Sequence, residues 1–68
     1  MDITFHDLTI SMADVRRLSY SAGTRTLYIY PHPKSIRGIM KILKNKEENF
    51  TEQMGILVVK QVESFDIQ

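Results

Sequence analysis

The segment Pro31-His32-Pro33 separates two different hydrophobic patterns, one typical of strands and one typical of a helix. Residues 18–30 before this segment are rich in Thr, Tyr, Leu and Ile, which β-strands favour. From residue 36 onward, apolar side chains recur at the three- and four-residue spacing of an amphipathic helix. Proline cannot continue a strand ladder, and Pro33 suits the first helical position, where its missing N–H costs nothing. The sequence therefore predicts strands followed by a helix.

The strand-rich segment predicts a β-hairpin. Residues 18–21 and 24–30 flank Ala22-Gly23, and Gly23 supplies the positive φ that a two-residue turn needs. In that register Arg17 lies opposite Tyr28. A longer loop, with Gly23 at its left-handed position, is the alternative. The predicted apolar face consists of Leu18, Tyr20, Leu27 and Ile29. The predicted solvent face consists of Arg17, Ser19, Ser21, Thr24, Thr26, Tyr28 and Tyr30.

The helix that follows is predicted to be amphipathic, with one apolar and one basic stripe. It begins at Pro33 or is capped by Ser35, and Asn45 or Asn49 ends it. Gly38 inside it costs about 1 kcal/mol relative to alanine, and would permit a close backbone approach to the sheet or to a ligand. The predicted apolar stripe contains Ile36, Ile39, Met40, Leu43 and, in a longer helix, Phe50. The basic stripe contains Arg37, Lys41 and Lys44.

The flanking segments are expected to supply further strands. Gly55 opens a strand from Ile56 to about Val62, whose four consecutive apolar residues predict burial on both faces and a central position. Residues 63–67 extend that strand past a bulge or form another. The N-terminal segment predicts a strand with a bulge or bend near His6-Asp7. Ser11 is a candidate cap for a short helical turn through Val15.

These elements predict a single α+β domain over residues 1–68, in β-β-β-α-β order. We expect a three- to four-stranded antiparallel or mixed sheet, with one helix packed on one face. Chains of this size bury only about 60% of their unfolded surface, and the absence of cysteine excludes disulfide support. This argument favours a homodimer or a component of a stable complex.

The net charge of +1 conceals a strong asymmetry along the chain. Residues 15–46 hold eight of the nine lysines and arginines and no acidic residue. The acidic residues all lie in the two terminal segments. Such an arrangement is a reason to consider an anionic partner. In the alternative interpretation, the acidic ends fold back over the basic middle and pair with it weakly.

The sequence contains no motif that indicates catalysis, a metal site or a cofactor. The three glycines are isolated, no triad context surrounds the serines, and His6 and His32 are far apart. We therefore expect a protein that is not an enzyme and that needs no metal or cofactor. No apolar run approaches the length of a membrane span, and the N-terminus lacks the pattern of a signal peptide. The expected location is the cytoplasm.

The basic middle of the chain is the strongest candidate for a functional site. Several cations on one surface bind phosphates, and neighbouring aromatic rings stack on unpaired bases. The leading hypothesis is therefore a small nucleic-acid-binding module. The alternative is a regulator or inhibitor that docks on a larger protein, or dimerises, through the face of Tyr28 and Tyr30. The helix cations are expected to point away from the tyrosines, which gives two basic surfaces. The candidate residues are Arg16, Arg17, Arg25, Tyr28, Tyr30, Lys34, Arg37, Lys41 and Lys44.

Overall fold

The computed structural model describes all 68 residues as a small α+β fold with two antiparallel sheets and one α-helix. The strands are β1 (Asp2–Phe5), β2 (Leu8–Ser11), β3 (Val15–Ser21), β4 (Thr26–Pro31), β5 (Phe50–Gln53), β6 (Ile56–Val59) and β7 (Asp66–Ile67), and the helix is α1 (Ile36–Asn45). The small sheet has the order β2-β1-β7 and the large sheet the order β3-β4-β6-β5. The α+β class agrees with the prediction, but the single sheet is wrong, because β1 and β2 form a separate sheet with the C-terminal strand β7.

The first unpredicted element is a hairpin at the N-terminus. Phe5 pairs with Leu8, and His6 and Asp7 between them have φ values of 49° and 61°. Positive φ at both central residues is characteristic of a type I′ turn, whose geometry matches the twist of paired strands. The expected bulge or bend near His6-Asp7 is therefore a chain reversal. Ser11 ends β2 and caps a 3-10 turn, Met12–Asp14, as predicted, by accepting the Ala13 N–H.

The predicted central hairpin exists, but its loop is longer than two residues. Ser21 pairs with Thr26, so residues 22–25 form the loop. Arg25, with φ 53°, is its left-handed residue rather than Gly23. The register therefore differs from the predicted one by two residues. A shift of two keeps every side chain on its face, and Arg17 now lies opposite Tyr30 instead of Tyr28.

A second type I′ hairpin joins β5 to β6. Gln53 pairs with Ile56 across Met54 and Gly55, whose φ values are 53° and 82°. β5 was not predicted, and Phe50 belongs to it rather than to the helix. β6 is a central strand, as expected, and pairs antiparallel to β4, but it ends at Val59. The following residues 66 and 67 form β7, which pairs with β1.

One hydrophobic core joins both sheets and the helix. From the helix, only Ile39 and Leu43 are fully buried, while Ile36 and Met40 are half-buried. Pro33–Ser35 forms a 3-10 turn before α1, and the Ser35 hydroxyl donates to Asp14 Oδ1 at 2.9 Å rather than capping the helix. The buried core consists of Ile3, Phe5, Leu8, Ile10, Val15, Leu27, Ile29, Ile39, Leu43, Leu57, Val59 and Val62.

Candidate functional site

The two central strands of the large sheet divide their side chains cleanly between two faces. Alternate residues of β4 and β6 are completely buried, and their neighbours in sequence are partly exposed. The buried set is Leu27, Ile29, Leu57 and Val59. The partly exposed set is Tyr28, Tyr30, Ile56 and Val58. Because successive strand residues point to opposite faces, the second set lies on a face outside the core. We call this set, together with Arg17 of β3, the outer sheet face.

Strand pairing brings the residues of this face together. Tyr28 lies between Ser19 of β3 and Val58 of β6, and Val58 is followed by Thr51 of β5. Residues directly opposite one another in antiparallel strands have neighbouring side chains. A tyrosine and a valine therefore occupy the middle of the face, with a hydroxyl group on each side.

The burial of β6 differs from the sequence prediction in a way that matters for the site. Four consecutive apolar residues indicated a strand buried on both faces, but Ile56 and Val58 are partly exposed beside the tyrosines. Thr26 departs from the prediction in the opposite way: it was expected on the solvent face, but it is only 2% exposed. Its hydroxyl donates to the Thr24 carbonyl oxygen at 3.1 Å, which satisfies it in the hairpin loop.

The outer positions of the large sheet carry no carboxylate. Between Ser21 at one edge and Gln53 at the other, the charged strand residue on this side is Arg17. Glu52, the acidic residue of β5, pairs with buried Leu57 and therefore belongs to the other face. An anionic ligand would meet no repulsive side chain in the strands of the outer sheet face.

A β-bulge gives the arginines of β3 their position. The register shifts between Val15 and Arg17, which leaves Arg16 without a partner on β4. Val15 turns into the core, while Arg16 and Arg17 are both exposed. Bulges re-aim side chains in this way and are frequent at sheet edges. Sequence reasoning missed the bulge, because no glycine marks it.

Arg17 stacks on the aromatic ring opposite it. Its guanidinium carbon lies 4.2 Å from the centroid of the Tyr30 ring, a cation–π arrangement. The same two side chains and Arg16 line a shallow depression of about 350 Å³. The two arginines are therefore in direct contact with, or adjacent to, the Tyr30 ring of the outer sheet face.

The helix presents a separate basic surface. Arg37, Lys41 and Lys44 are exposed and line a depression of about 240 Å³ with Met40, which we call the helix surface. It shares no residue with the depression at Arg17. Because Ile39 and Leu43 of the same helix enter the core, the helix cations point away from it.

The two remaining candidate cations lie elsewhere. Arg25 is in the loop at the far end of the hairpin and forms an ion pair with Glu63 at 3.0 Å. Lys34 lies in the 3-10 turn before α1, beside a groove between β2 and α1. The nine predicted residues are thus distributed over four places, and the structure joins only Arg16, Arg17, Tyr28 and Tyr30 into one surface.

The acidic ends do not cover the basic middle. Arg25 is the only cation of residues 15–46 with a carboxylate oxygen within 4.0 Å. The other contact between a carboxylate and the side chain of a basic residue joins His6 Nδ1 to the Glu48 carboxylate at 2.9 and 3.0 Å, outside that segment. The cations of the outer sheet face and of the helix surface therefore remain open to an external anion.

No group of three or more His, Cys, Asp or Glu side chains is arranged to hold a metal ion. None of the helices combines the length and the apolar character that crossing a membrane requires. Comparisons of the chain with protein-family models, with curated proteins and with solved structures gave no match. The outer sheet face and the helix surface are therefore the features that bear on function.

Proposed function

We propose that the protein binds single-stranded nucleic acid through the outer sheet face. The observation that carries the proposal is the Arg17–Tyr30 stack next to Tyr28, on a sheet face without carboxylates. Aromatic rings stack on unpaired bases, and each stacked base is worth about 1–3 kcal/mol. A base pair inside a duplex offers no such free face, so single strands are the preferred ligand.

The tyrosines have different roles in this proposal. Tyr28, flanked by Ser19 and Val58, presents a ring to one base. Tyr30 carries the Arg17 guanidinium on its ring, and the free side of that planar cation stacks on or hydrogen-bonds to a second base. Arg16 is exposed at the bulge next to Arg17 and would contact a backbone phosphate of the same strand.

The other cations act at longer range. Arg37, Lys41 and Lys44 line a depression that shares no residue with the one at Arg17 and Tyr30, so they would contact phosphates only where a longer strand extends around the domain. Lys34 would have the same role, whereas Arg25 would contribute less because it already forms an ion pair with Glu63. Each phosphate contact releases a counterion, so affinity is expected to fall with salt.

Fluorescence anisotropy tests the proposal directly. Labelled ten-nucleotide single-stranded RNA and DNA, and the corresponding duplex, are titrated with the full chain at low and at moderate salt. We expect single strands to bind more tightly than the duplex. Tyr28→Ala should weaken binding, while Tyr28→Phe, which keeps the stacking ring, should retain it. Absence of binding at micromolar protein, or equal affinity for the duplex, would contradict the proposal.

A second candidate function rests on the two aliphatic side chains of the same face. Ile56 and Val58 are only half-buried, and apolar groups beside tyrosines are typical of the centre of a protein interface. We therefore retain docking on a larger protein, or formation of a homodimer, as the alternative. It predicts an association that tolerates salt. Light scattering of the purified chain in 0.1 M and 0.5 M salt distinguishes a dimer from a monomer.

A further inference from the structure

The groove between β2 and α1 belongs to neither basic surface. It encloses about 230 Å³ and shares no lining residue with the depressions at Arg17 and at Lys41. Ile10 of β2 and Ile39 of α1 lie at its floor and are almost completely buried, whereas Ile42 of α1 is partly exposed. One side of this groove is a strand at the edge of a sheet, and the other side is a helix.

The edge of β2 has free main-chain groups. The N–H and C=O of Asp2 bond to Gln68, at 2.6 and 2.9 Å, so Asp2 faces β7. In an antiparallel pair the bonded positions alternate, so Ile3 and Phe5 bond to Ile10 and Leu8, and Thr9 faces away from β1. No loop, turn or side chain forms a hydrogen bond with the Thr9 main chain. Such an edge is a template for another strand.

Gly38 forms part of the wall of the groove on the helix side. It lies inside α1, where glycine weakens a helix relative to alanine. Its φ is not positive, and a Cβ atom added to it would meet nothing within 4 Å. Neither backbone conformation nor packing within the chain therefore requires a glycine there. An absent side chain leaves room for the main chain of a ligand to approach closely.

We propose that this groove binds an extended segment of a partner protein, which adds to the edge of β2 and runs between β2 and α1. The Thr9 N–H and C=O pair with the main chain of the segment, as in other cases of strand addition. Alternate side chains of the segment pack against the partly exposed Ile42, above the buried Ile10. Lys34 and Asp14 both line the groove, and the Asp14 carboxylate accepts a hydrogen bond from the Ser35 hydroxyl. Lys34 is exposed and has no carboxylate within 4.0 Å, so it complements an acidic residue at its end of the groove.

The test uses the full chain as bait for a displayed library of random nonapeptides. We expect enriched sequences that alternate β-branched and polar residues and carry a carboxylate near one end. Two variants then locate the binding. Thr9→Pro removes an N–H that forms no bond within the sheet, and Gly38→Leu fills the wall of the groove. Each is expected to lower affinity for the enriched peptides at least tenfold.

Controls separate loss of the groove from loss of the fold. Gly38→Leu places a good helix former in α1 and is expected to raise the midpoint of thermal unfolding while it lowers affinity. Gly23→Leu makes the same change in the hairpin loop, away from the groove, and is expected to leave affinity unchanged. Tyr28→Ala should also leave peptide binding intact, because the outer sheet face takes no part in it.

Three results would overturn the proposal. One is the absence of enrichment. Another is enriched peptides that bind the folded Thr9→Pro and Gly38→Leu variants as tightly as the unchanged chain. The third is a homodimer that Thr9→Pro dissociates, since the edge of β2 would then belong to a second copy of this chain.

Discussion

The two faces of the large sheet are built from the same strands but differ in how far their side chains are buried. Leu57 and Val59 point into the core and are completely buried, while Ile56 and Val58 beside them are partly exposed. The four side chains have similar hydrophobicity, so composition does not separate them. What separates them is the antiparallel pairing with β4, whose Tyr28 adjoins Val58 and whose Ile29 adjoins Leu57. The inner face stabilises the fold, and the outer face leaves its side chains partly exposed to solvent.

The largest expected effect is a difference in the free energy of unfolding between substitutions at two neighbouring residues of β6. Leu57→Ala should lower the free energy of unfolding by about 2–5 kcal/mol, as large-to-small changes in a core do. Ile56→Ala removes a similar number of carbons from the outer face and should cost less than about 1 kcal/mol, because part of that side chain already contacts water. Urea unfolding followed by circular dichroism measures both. Equal losses would show that the outer sheet face is also part of the core.

The second prediction compares two tyrosines. Tyr28→Ala should weaken binding of single strands by about 1–3 kcal/mol, the worth of one stacked base, with little change in stability. Tyr20→Ala should do the opposite. Its hydroxyl donates to the carbonyl oxygens of Val62 and Glu63, and its ring packs edge-on against Phe65 at 5.1 Å. Anisotropy and urea unfolding of both variants test this. A folded Tyr20→Ala that loses affinity equally would contradict the division between the faces.

The sequence was sufficient for part of this arrangement. Apart from the buried Thr26, the hairpin faces agree with the prediction although the assumed two-residue loop is longer in the structure, because a shift of two residues preserves alternation. The helix and its two stripes were predictable from their spacing, and Ile39 and Leu43 are its buried residues. The outer sheet face was recognised through Tyr28 and Tyr30, while its aliphatic half was missed.

The missed elements have physical reasons. β5 has only four residues, and Glu52 among them is of a type that strands disfavour, so its pairing with β6 determines its conformation. Both type I′ turns use residues other than the Asn-Gly pair that identifies such turns in a sequence. The exposure of Ile56 and Val58 depends on which elements cover β6, and local patterns do not contain that information.

A smaller effect is expected from the charges of the two basic surfaces. Arg17→Ala removes the planar cation that is proposed to stack on the second base, and should weaken binding of single strands by about 0.5–1 kcal/mol, the worth of an exposed cation–π contact with that base. Lys41→Ala on the helix surface should leave the affinity of a ten-nucleotide strand almost unchanged at moderate salt. Anisotropy titrations at two salt concentrations compare them. A larger loss for Lys41→Ala would place the binding site on the helix.

The sharpest choice between the two proposed functions of the outer sheet face comes from Val58→Lys. The side chain is partly exposed beside Tyr28, so a lysine there can keep its charge in water while its stem covers the sheet. We expect the free energy of unfolding to change by about 1 kcal/mol or less, as at most surface positions. An added cation next to the tyrosines should raise the affinity for nucleic acid and steepen its salt dependence by one charge. The same lysine in the centre of a protein interface would be buried without a partner and would abolish docking or dimerisation. Stronger binding of single strands by Val58→Lys therefore supports the nucleic-acid interpretation, whereas loss of a dimer measured by light scattering supports the protein interface.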